Sequence, residues 1–494
     1  MKAILFFGLV IFPCIIFSQV QIGQDINGNN EYNWSGYSVS LNSDGNIIAI
    51  GAPNSDSNGN NSGHVRVYIN KNNIWQQIGT DIYGKAENDL SGFSVSLNSD
   101  GNILAIGAPE NDDNGNNSGH VRVYRNKNNI WEQVGSDING EVENDLFGYS
   151  VSLSSDGNII AIGAPNHDGT GNNSGHVLIY QNINNIWKQI GDDINFKETN
   201  LESVRFQSGK SVSLSSDGSI VAIGAYGNND NHYYSGNLRI FRNSNNNWQQ
   251  IGKSINIEAS NDFSGYSVSL SSNGDIVAIG VDGNDGNGYN SGHVRIYRNK
   301  NNIWEQIGND INGEASRDYS GKSVSLNSNG SIIAIGAYKN DGYGIDSGHV
   351  RIYRNNNNVW EQIGVDINGE AENDLSGFSV SLNSSGNIVV IGAPNNDGDG
   401  INSGHARVYD LRAVLSLENS ALSYVNIYPN PASINIKIHL NNSELNKVSI
   451  FNNLGQLIKR SKKLTINTSN LKSGIYFLQV ETNTGKTIKK LVIE

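Results

Sequence analysis

The sequence predicts an all-β chain: a seven-bladed β-propeller with four-stranded blades, followed by a small Ig-like β-sandwich. Three observations lead there. One unit recurs seven times, each copy carries four strand signals, and the chain opens on a fragment that completes the last copy.

The recurrence is plainest in Ser-Val-Ser-Leu, which begins at Ser38, Ser94, Ser150, Ser211, Ser267, Ser323 and Ser379, at spacings of 56, 56, 61, 56, 56 and 56. Trp75, Trp131, Trp187, Trp248, Trp304 and Trp360 keep the same period. In the second copy, Phe93 to Leu97 (FSVSL) alternates apolar and small polar residues, the period-two pattern of a strand. Asn98-Ser99-Asp100-Gly101 follows, and its Asp-Gly pair signals a tight hairpin because Gly accepts positive φ. Ile103 to Ala108 (ILAIGA) is apolar on both faces, as a central buried strand is. A longer Asp/Asn/Gly loop leads to a third strand at His120 to Arg125 (HVRVYR). An Asn-rich turn at 126–129 then leads to a fourth at Ile130 to Gly135 (IWEQVG).

The ends of the array predict closure. Residues 20–26 (VQIGQDI) match the fourth-strand segment of other copies, such as Val134 to Ile138 (VGSDI), while the seventh copy stops after its third strand, at His405 to Tyr409. The N-terminal segment is therefore expected to pair beside 405–409 and lock the ring, which removes two exposed sheet edges. A linear solenoid is the alternative. It needs capping units at both ends, and a unit split between the ends favours the ring.

Composition agrees. Charged residues make up only 16% of the chain and there are 56 glycines but 7 prolines, which suits short strands joined by tight turns. Net charge is −13; residues 424–494 hold ten Lys or Arg and three Glu, a local +7, which leaves −20 on the rest. So acidic a body argues against a nucleic-acid partner, which requires a cationic footprint. The lysines of the tail alternate with apolar residues, the pattern of a solvated sheet face.

Lys2, the apolar run Ala3 to Phe17 and Ser18-Gln19 form the three-part pattern of a secretory signal over residues 1–18, with cleavage expected after Ser18. Fifteen residues are too few to span a bilayer, which takes about 20. Pro13 before the sole cysteine, Cys14, and the apolar residues after it argue against lipid attachment. The mature chain is then expected to have no thiol and no transmembrane segment.

Four elements of the repeat bear on chemistry. Histidine opens the third strand at His64, His120, His176, His293, His349 and His405. A catalytic histidine is normally unique, so six copies point to a fold role such as bonding a loop carbonyl. The loop between strands two and three carries Asp56, Asp112, Asp168, Asp285, Asp341 and Asp397, with Asp399 and Asp113 nearby in two copies. Oxygen-rich, Gly-bent loops can hold calcium; the alternative is that each aspartate bonds local amides and shapes its turn. The loop between blades carries further acids, such as Asp81, Glu87 and Asp89, or Asp366, Glu370, Glu372 and Asp374. Both loop sets belong on one face of the disc. That face is expected to be acidic and to meet a cation, a basic protein or a glycan, unless the loops serve solubility alone. Copy four breaks the pattern with five extra residues within 195–209, Arg205 among them, and with His232, Tyr233 and Tyr234. A symmetric scaffold acquires a specific site by local departure, which makes Arg205, His232, Tyr233 and Tyr234 the candidate ligand contacts; drift is the alternative.

Two resemblances follow from quoted motifs. Phe147-Gly148 with Gly163-Ala164-Pro165 resembles the FG-GAP repeat of integrin α-chain propellers, over roughly residues 20–409. It implies a binding or adhesion scaffold. The calcium loop such blades often carry between their first two strands is a hairpin here, so those sites do not transfer. After a linker at 411–423 the repeat gives way to strands at 434–440, 447–452, 464–467, 474–481 and 487–493, a small antiparallel sandwich. Tyr428-Pro429-Asn430-Pro431, 448–456 (VSIFNNLGQ) with Gly455, 471–480 (LKSGIYFLQV) with Gly474, and Lys489-Lys490-Leu491-Val492-Ile493 resemble the type A sorting domain of the type IX secretion system of Bacteroidetes. This implies passage across the outer membrane by that machinery, to secretion or to the outer cell surface. An ordinary Ig-like binding module is the alternative.

The expected organisation is a signal at 1–18, a propeller at 19–410, a linker at 411–423 and a sorting domain at 424–494. The expected function is a secreted or cell-surface binding propeller for a protein or glycan, with no cofactor expected and calcium the one candidate. A polysaccharide-acting propeller enzyme and a structural surface protein without specific ligand are the rivals. No Gly-rich phosphate loop, His-Glu-x-x-His or Gly-x-Ser-x-Gly motif is present.

Overall fold

The computed structural model describes residues 19–169, 171–195, 206–227, 234–256, 259–419, 425–440, 444–452, 456–483 and 485–493. The signal expected at 1–18 lies outside them. Contacts divide the described chain into a body over 19–411 and a second unit over 412–493.

The body is a ring of seven antiparallel sheets. In the second blade the strands are Ser94–Leu97, Ile103–Ala108, His120–Lys127 and an outer pair, Ile130–Gln133 and Ile138–Asn139, both hydrogen-bonded to the third strand. The expected single outer strand is thus broken in two. Gly135, at φ 77°, swings the chain out of the ladder, and a Cβ there would lie 2.6 Å from the Asn185 carbonyl of the next blade. Gln133 Nε2 donates to Asp137 Oδ1 at 2.6 Å and fixes the break.

The first hairpin is also wider than Asp-Gly predicts. The Asn98 amide donates to the Ile103 carbonyl, which leaves four residues at the tip, and Asn98 Oδ1 accepts from the amides of Asn102 and Ile103 at 3.0 and 2.9 Å. The wide tip frees the Ser99 amide for the neighbouring blade. Between strands three and four, Asn128 and Asn129 both have positive φ (53° and 65°), the two-residue turn that Asn tolerates and that matches strand twist. This turn accounts for much of the asparagine.

Adjacent blades are joined around the axis by three rings of seven hydrogen bonds. The first serine of each Ser-Val-Ser-Leu donates its hydroxyl to a glycine carbonyl of the next blade, from Ser38 to Gly92 round to Ser379 to Gly36, at 2.7–2.8 Å. The second serine accepts the leucine amide of the next blade at 2.9–3.1 Å, as Ser40 does from Leu97. At the hairpin tips each serine amide donates to the serine carbonyl of the next blade, from Ser43 to Ser99 round to Ser384 to Ser43. Between blades the apolar second and third strands bury each other, as in the cluster of Ile103, Ala105, Val121, Val123, Leu153, Ile160 and Ile162. At the rim Trp131 Nε1 donates to the Ile78 carbonyl of the preceding blade, and five other tryptophans repeat this contact.

The N-terminal segment closes the ring. Val20 and Gln21 pair with Asp410 and Tyr409, and Ile26 and Asn27 with Ala406 and His405. Trp75 donates to the Ile22 carbonyl, so the first blade docks on this strand as the others dock on theirs.

In the second unit, part of the stretch expected as a linker forms a helix at Arg412–Asn419; its sequence contains Ala, Leu and Glu and no Gly or Pro, which favours helix. A three-stranded and a four-stranded sheet then enclose a core of Val425, Ile436, Ile438, Val448, Ile450, Ile466, Leu478, Val480, Leu491 and Ile493. Two of its strands, Asn426–Tyr428 and Leu457–Ser461, are not apparent from the sequence pattern.

Gly107→Ala should lower the thermal midpoint of the body, because a Cβ there would lie 2.0 Å from the Gly148 carbonyl and 2.4 Å from Ser94 Oγ. Overpacking of this kind costs about 1–3 kcal/mol, and calorimetry of the variant checks it.

Candidate functional site

The two loop sets lie together on one face, as Asn111 Nδ2 donating to Asp89 Oδ1 and Asn114 Nδ2 to the Gly140 carbonyl show. Not every acid there is available to a partner. Asp89 and Asp374, expected at the surface, are 1% and 2% exposed. Their carboxylates accept the amides of Lys85 and Ala86, and of Glu370 and Ala371, and so fold their loops. Asp81 is paired with Arg66 at 2.8 Å. Phe206 holds the corresponding place in blade four and is buried, so that blade lacks this anchor where its insertion falls.

The six aspartates considered for calcium are exposed and each closes its own loop. Asp56, Asp112, Asp168, Asp285, Asp341 and Asp397 accept the amide five residues on at 2.7–2.9 Å. Neither they nor Asp399 belong to the acid and histidine clusters found among the described residues. Those clusters are built instead on the repeated histidines: Asp145-His167-His176, Asp25-Glu370-His405, Asp113-His120-Asp137 and Glu314-His349-Asp366. In the first, the two imidazoles stack with centroids 3.8 Å apart and nearly parallel, an arrangement that does not aim both rings at one ion.

Among the described residues the repeated histidines form no hydrogen bond to a loop carbonyl, the role expected of them. His120, His293, His349 and His405 are buried with Nδ1 3.7–4.0 Å from a carboxylate oxygen. Burial, and then the neighbouring arginine, push His64, His120, His293, His349 and His405 down to about 4.

Of the residues singled out in copy four, Arg205, His232 and Tyr233 lie outside the described residues. Tyr234 is described, and it leads inward. Its ring sits 6.0 Å from Phe263, Phe263 is 6.0 Å from Tyr226, and Tyr226 is 5.8 Å from Tyr266. Tyr266 belongs to a ring of seven side chains at the loop-face mouth of the axis, each set just before Ser-Val-Ser-Leu: Tyr37, Phe93, Tyr149, Lys210, Tyr266, Lys322 and Phe378. Phe378, Tyr37, Phe93 and Tyr149 form an aromatic arc with centroids 4.6–4.9 Å apart. Lys210 lies 4.1 Å over Tyr149, and Lys322 lies 4.1 Å over Tyr266 and 4.6 Å over Phe378, which completes the circle. All seven are partly exposed.

A second column reinforces the asymmetry. After Gly-Ala (Gly-Val in blade five) the repeat places Pro53, Pro109, Pro165 and Pro394, but Tyr226, Asp282 and Tyr338 in blades four to six. Tyr226 and Tyr338 flank the two lysines at 5.0 and 5.1 Å. Lys210 donates to the Tyr149 hydroxyl and Lys322 to that of Tyr266. Asp282 is buried; desolvation pushes it up to about 6 against the pull of Lys322. Burial lowers Lys210 and brings Lys322 down to about 8, with Asp282 opposing. Glu110, whose charge is felt at Tyr37 on the far side, is likewise raised by burial. Sequence reading missed Lys210, Lys322 and Asp282; aligning these two columns across the seven copies exposes them.

In the second unit, Asn430 of Tyr-Pro-Asn-Pro pins the last strand: its Nδ2 donates to the Lys490 carbonyl and its Oδ1 accepts the Val492 amide, both at 2.8 Å. Both X-Pro bonds here, before Pro429 and Pro431, are cis. Lys489 and Lys490 pair with Leu478 and Phe477, and Lys490 is exposed. Gly474 opens a strand at φ 152°, Tyr428 is half-exposed, and Gly455 lies outside the described residues.

Comparison with known proteins agrees with these two halves. Residues 426–494 match the secretion system C-terminal sorting domain, and residues 84–124 and 139–180 match the FG-GAP repeat. Similar solved structures include Kuenenia stuttgartiensis hydrazine synthase, at 11% identity over 75% of this chain and 94% of that one, TM-score 0.47. Another is the periplasmic gluconolactonase PpgL of Pseudomonas aeruginosa, at 14% identity over 68% and 85%, TM-score 0.45. Among curated proteins none matches the chain in sequence.

The five histidines lowered by burial, His64, His120, His293, His349 and His405, predict an acid-labile body. They are held neutral in the fold but titrate near 6.5 when unfolded, so the unfolded chain takes up the extra protons. Their contribution is complete above about pH 6.5 and is lost as pH falls towards 4. His120→Asn, which copies Asn237 of blade four, should reduce the drop in thermal midpoint between pH 7 and pH 5 measured by calorimetry.

Proposed function

From a chain of FG-GAP repeats closed into a propeller and ended by a type IX secretion sorting domain, we propose an exported, non-enzymatic binding protein that captures a saccharide at the loop-face mouth of its axis. The observation that carries this reading is where the repeat is broken. The columns that build the fold, Ser-Val-Ser-Leu and the rim tryptophans, hold from blade to blade, and in blades four to six Lys210, Lys322, Tyr226, Asp282 and Tyr338 depart from their columns at one mouth. A partly exposed aromatic arc edged with tyrosine hydroxyls and ammonium groups offers stacking faces and hydrogen bonds together, the chemistry of a sugar ring.

The rival is an enzyme acting on polysaccharide. A glycosidase sets one carboxyl to be protonated and another to stay ionised. Among the described residues the carboxyls felt at the ring, Asp282 and Glu110, stand on blades five and two, across the axis from one another rather than as a facing pair. This favours binding over hydrolysis.

Glycan-array binding by the secreted chain, with and without calcium, tests the reading. Tyr226→Ala and Phe93→Ala are expected to lower affinity about tenfold each with the fold kept; release of reducing ends from any bound polysaccharide would establish the enzyme instead. Deletion of residues 426–494 should leave the propeller inside the cell, as immunoblots of medium and cell fractions would show.

A further inference from the structure

We propose that Lys210 and Lys322 select an anionic saccharide, holding the carboxylate or sulfate of one sugar residue over Tyr266 while its ring stacks on the aromatic arc. This rests on the saccharide reading above and adds the charge of the ligand.

Lysine occupies this column in only two blades, and those two flank a single ring. Both ammonium groups lie over Tyr266, at 5.4 and 4.1 Å from its centroid. Each ammonium has three donors, and one of them goes to a tyrosine hydroxyl. Among the described residues neither lysine forms an ion pair. Asp282 is the carboxylate set between them; its charge acts on both, and among the described residues no hydrogen bond or ion pair joins it to either ammonium. Lys339, near Tyr338, is satisfied by Asp346 at 3.6 Å. Among the described residues, two sheltered cations therefore face one internal carboxylate. Sheltered charge without a partner is costly, and an incoming anion relieves that cost. Burial lowers both lysines, as an unpaired cationic pair requires. The surrounding loop face is acidic, so general attraction does not bring an anion here. The specificity has to come from this mouth, and neutral sugars can use only the aromatic part of it.

The test is calorimetric titration of the secreted protein with three probes: an oligogalacturonate, the same oligomer after carboxyl reduction, and a chondroitin sulfate oligosaccharide. Wild type should bind at least one acidic probe about tenfold more tightly than the reduced oligomer, the value of one charge-assisted contact. The two acidic arms tell carboxylate from sulfate. Lys322→Met and Lys210→Met should each abolish the preference, and Lys322→Arg should retain it, which separates lost recognition from lost folding. Equal binding of acidic and neutral oligomers, or a preference that survives in both methionine variants, overturns the proposal and leaves the saccharide reading standing. Binding of none of the probes, with no hit on the glycan array, overturns both.

Discussion

Neighbouring blades are held at the axis by serine. Each Ser-Val-Ser-Leu gives one hydroxyl to the next blade's glycine carbonyl and takes that blade's leucine amide on the other. A propeller has no hydrogen-bonded ladder between blades, so without these bonds contact near the axis would be apolar packing and the ring of backbone bonds at the hairpin tips. The glycine of Gly-Ala is fixed by the same joint, since Gly51 faces the Gly92 carbonyl with no room for a Cβ. Interior positions are therefore tightly prescribed. The residue before the first serine and the one after Gly-Ala lie just outside the joint, and chemistry can change there without opening the ring.

That division explains what could be read from the sequence. Blade number, strand order and closure were legible because each depends on residues the joint prescribes, and because residues 20–26 keep the outer-strand pattern of their distant counterparts. The broken outer strand was less visible. Ile-Gly-x-Asp-Ile reads as a continuous alternation, and only the packing of Gly135 against the Asn185 carbonyl shows why it leaves the ladder. Asp89 and Asp374 misled for a similar reason: an acid in an Asn/Gly loop looks solvated until its amide partners are known. Tyr234 was picked out as irregular, but its connection to Lys210 and Lys322 crosses three blades and follows no local pattern. Aligned columns pick out Lys210, Lys322 and Asp282 one by one, but that they share a mouth follows only from side chains of all seven copies meeting around one axis.

The second unit follows a different logic. Its identifying motif is not at a surface built for chemistry. Asn430 reaches across to the backbone of Lys490 and Val492 and ties the start of the unit to its last strand. A tetrapeptide that looks like a recognition tag is thus also a structural clasp.

The pairing of Val20–Asn27 with His405–Asp410 sets an order of events. The strand made first has its partner made last, so no ribosome-bound or partly translocated chain shorter than about 410 residues contains a complete ring. Until then the first and last blades each present an unsatisfied flank, and the chain remains a curved, open stack. Roundness is acquired in a single late step, after which neither end of the propeller offers an edge for a neighbour to extend.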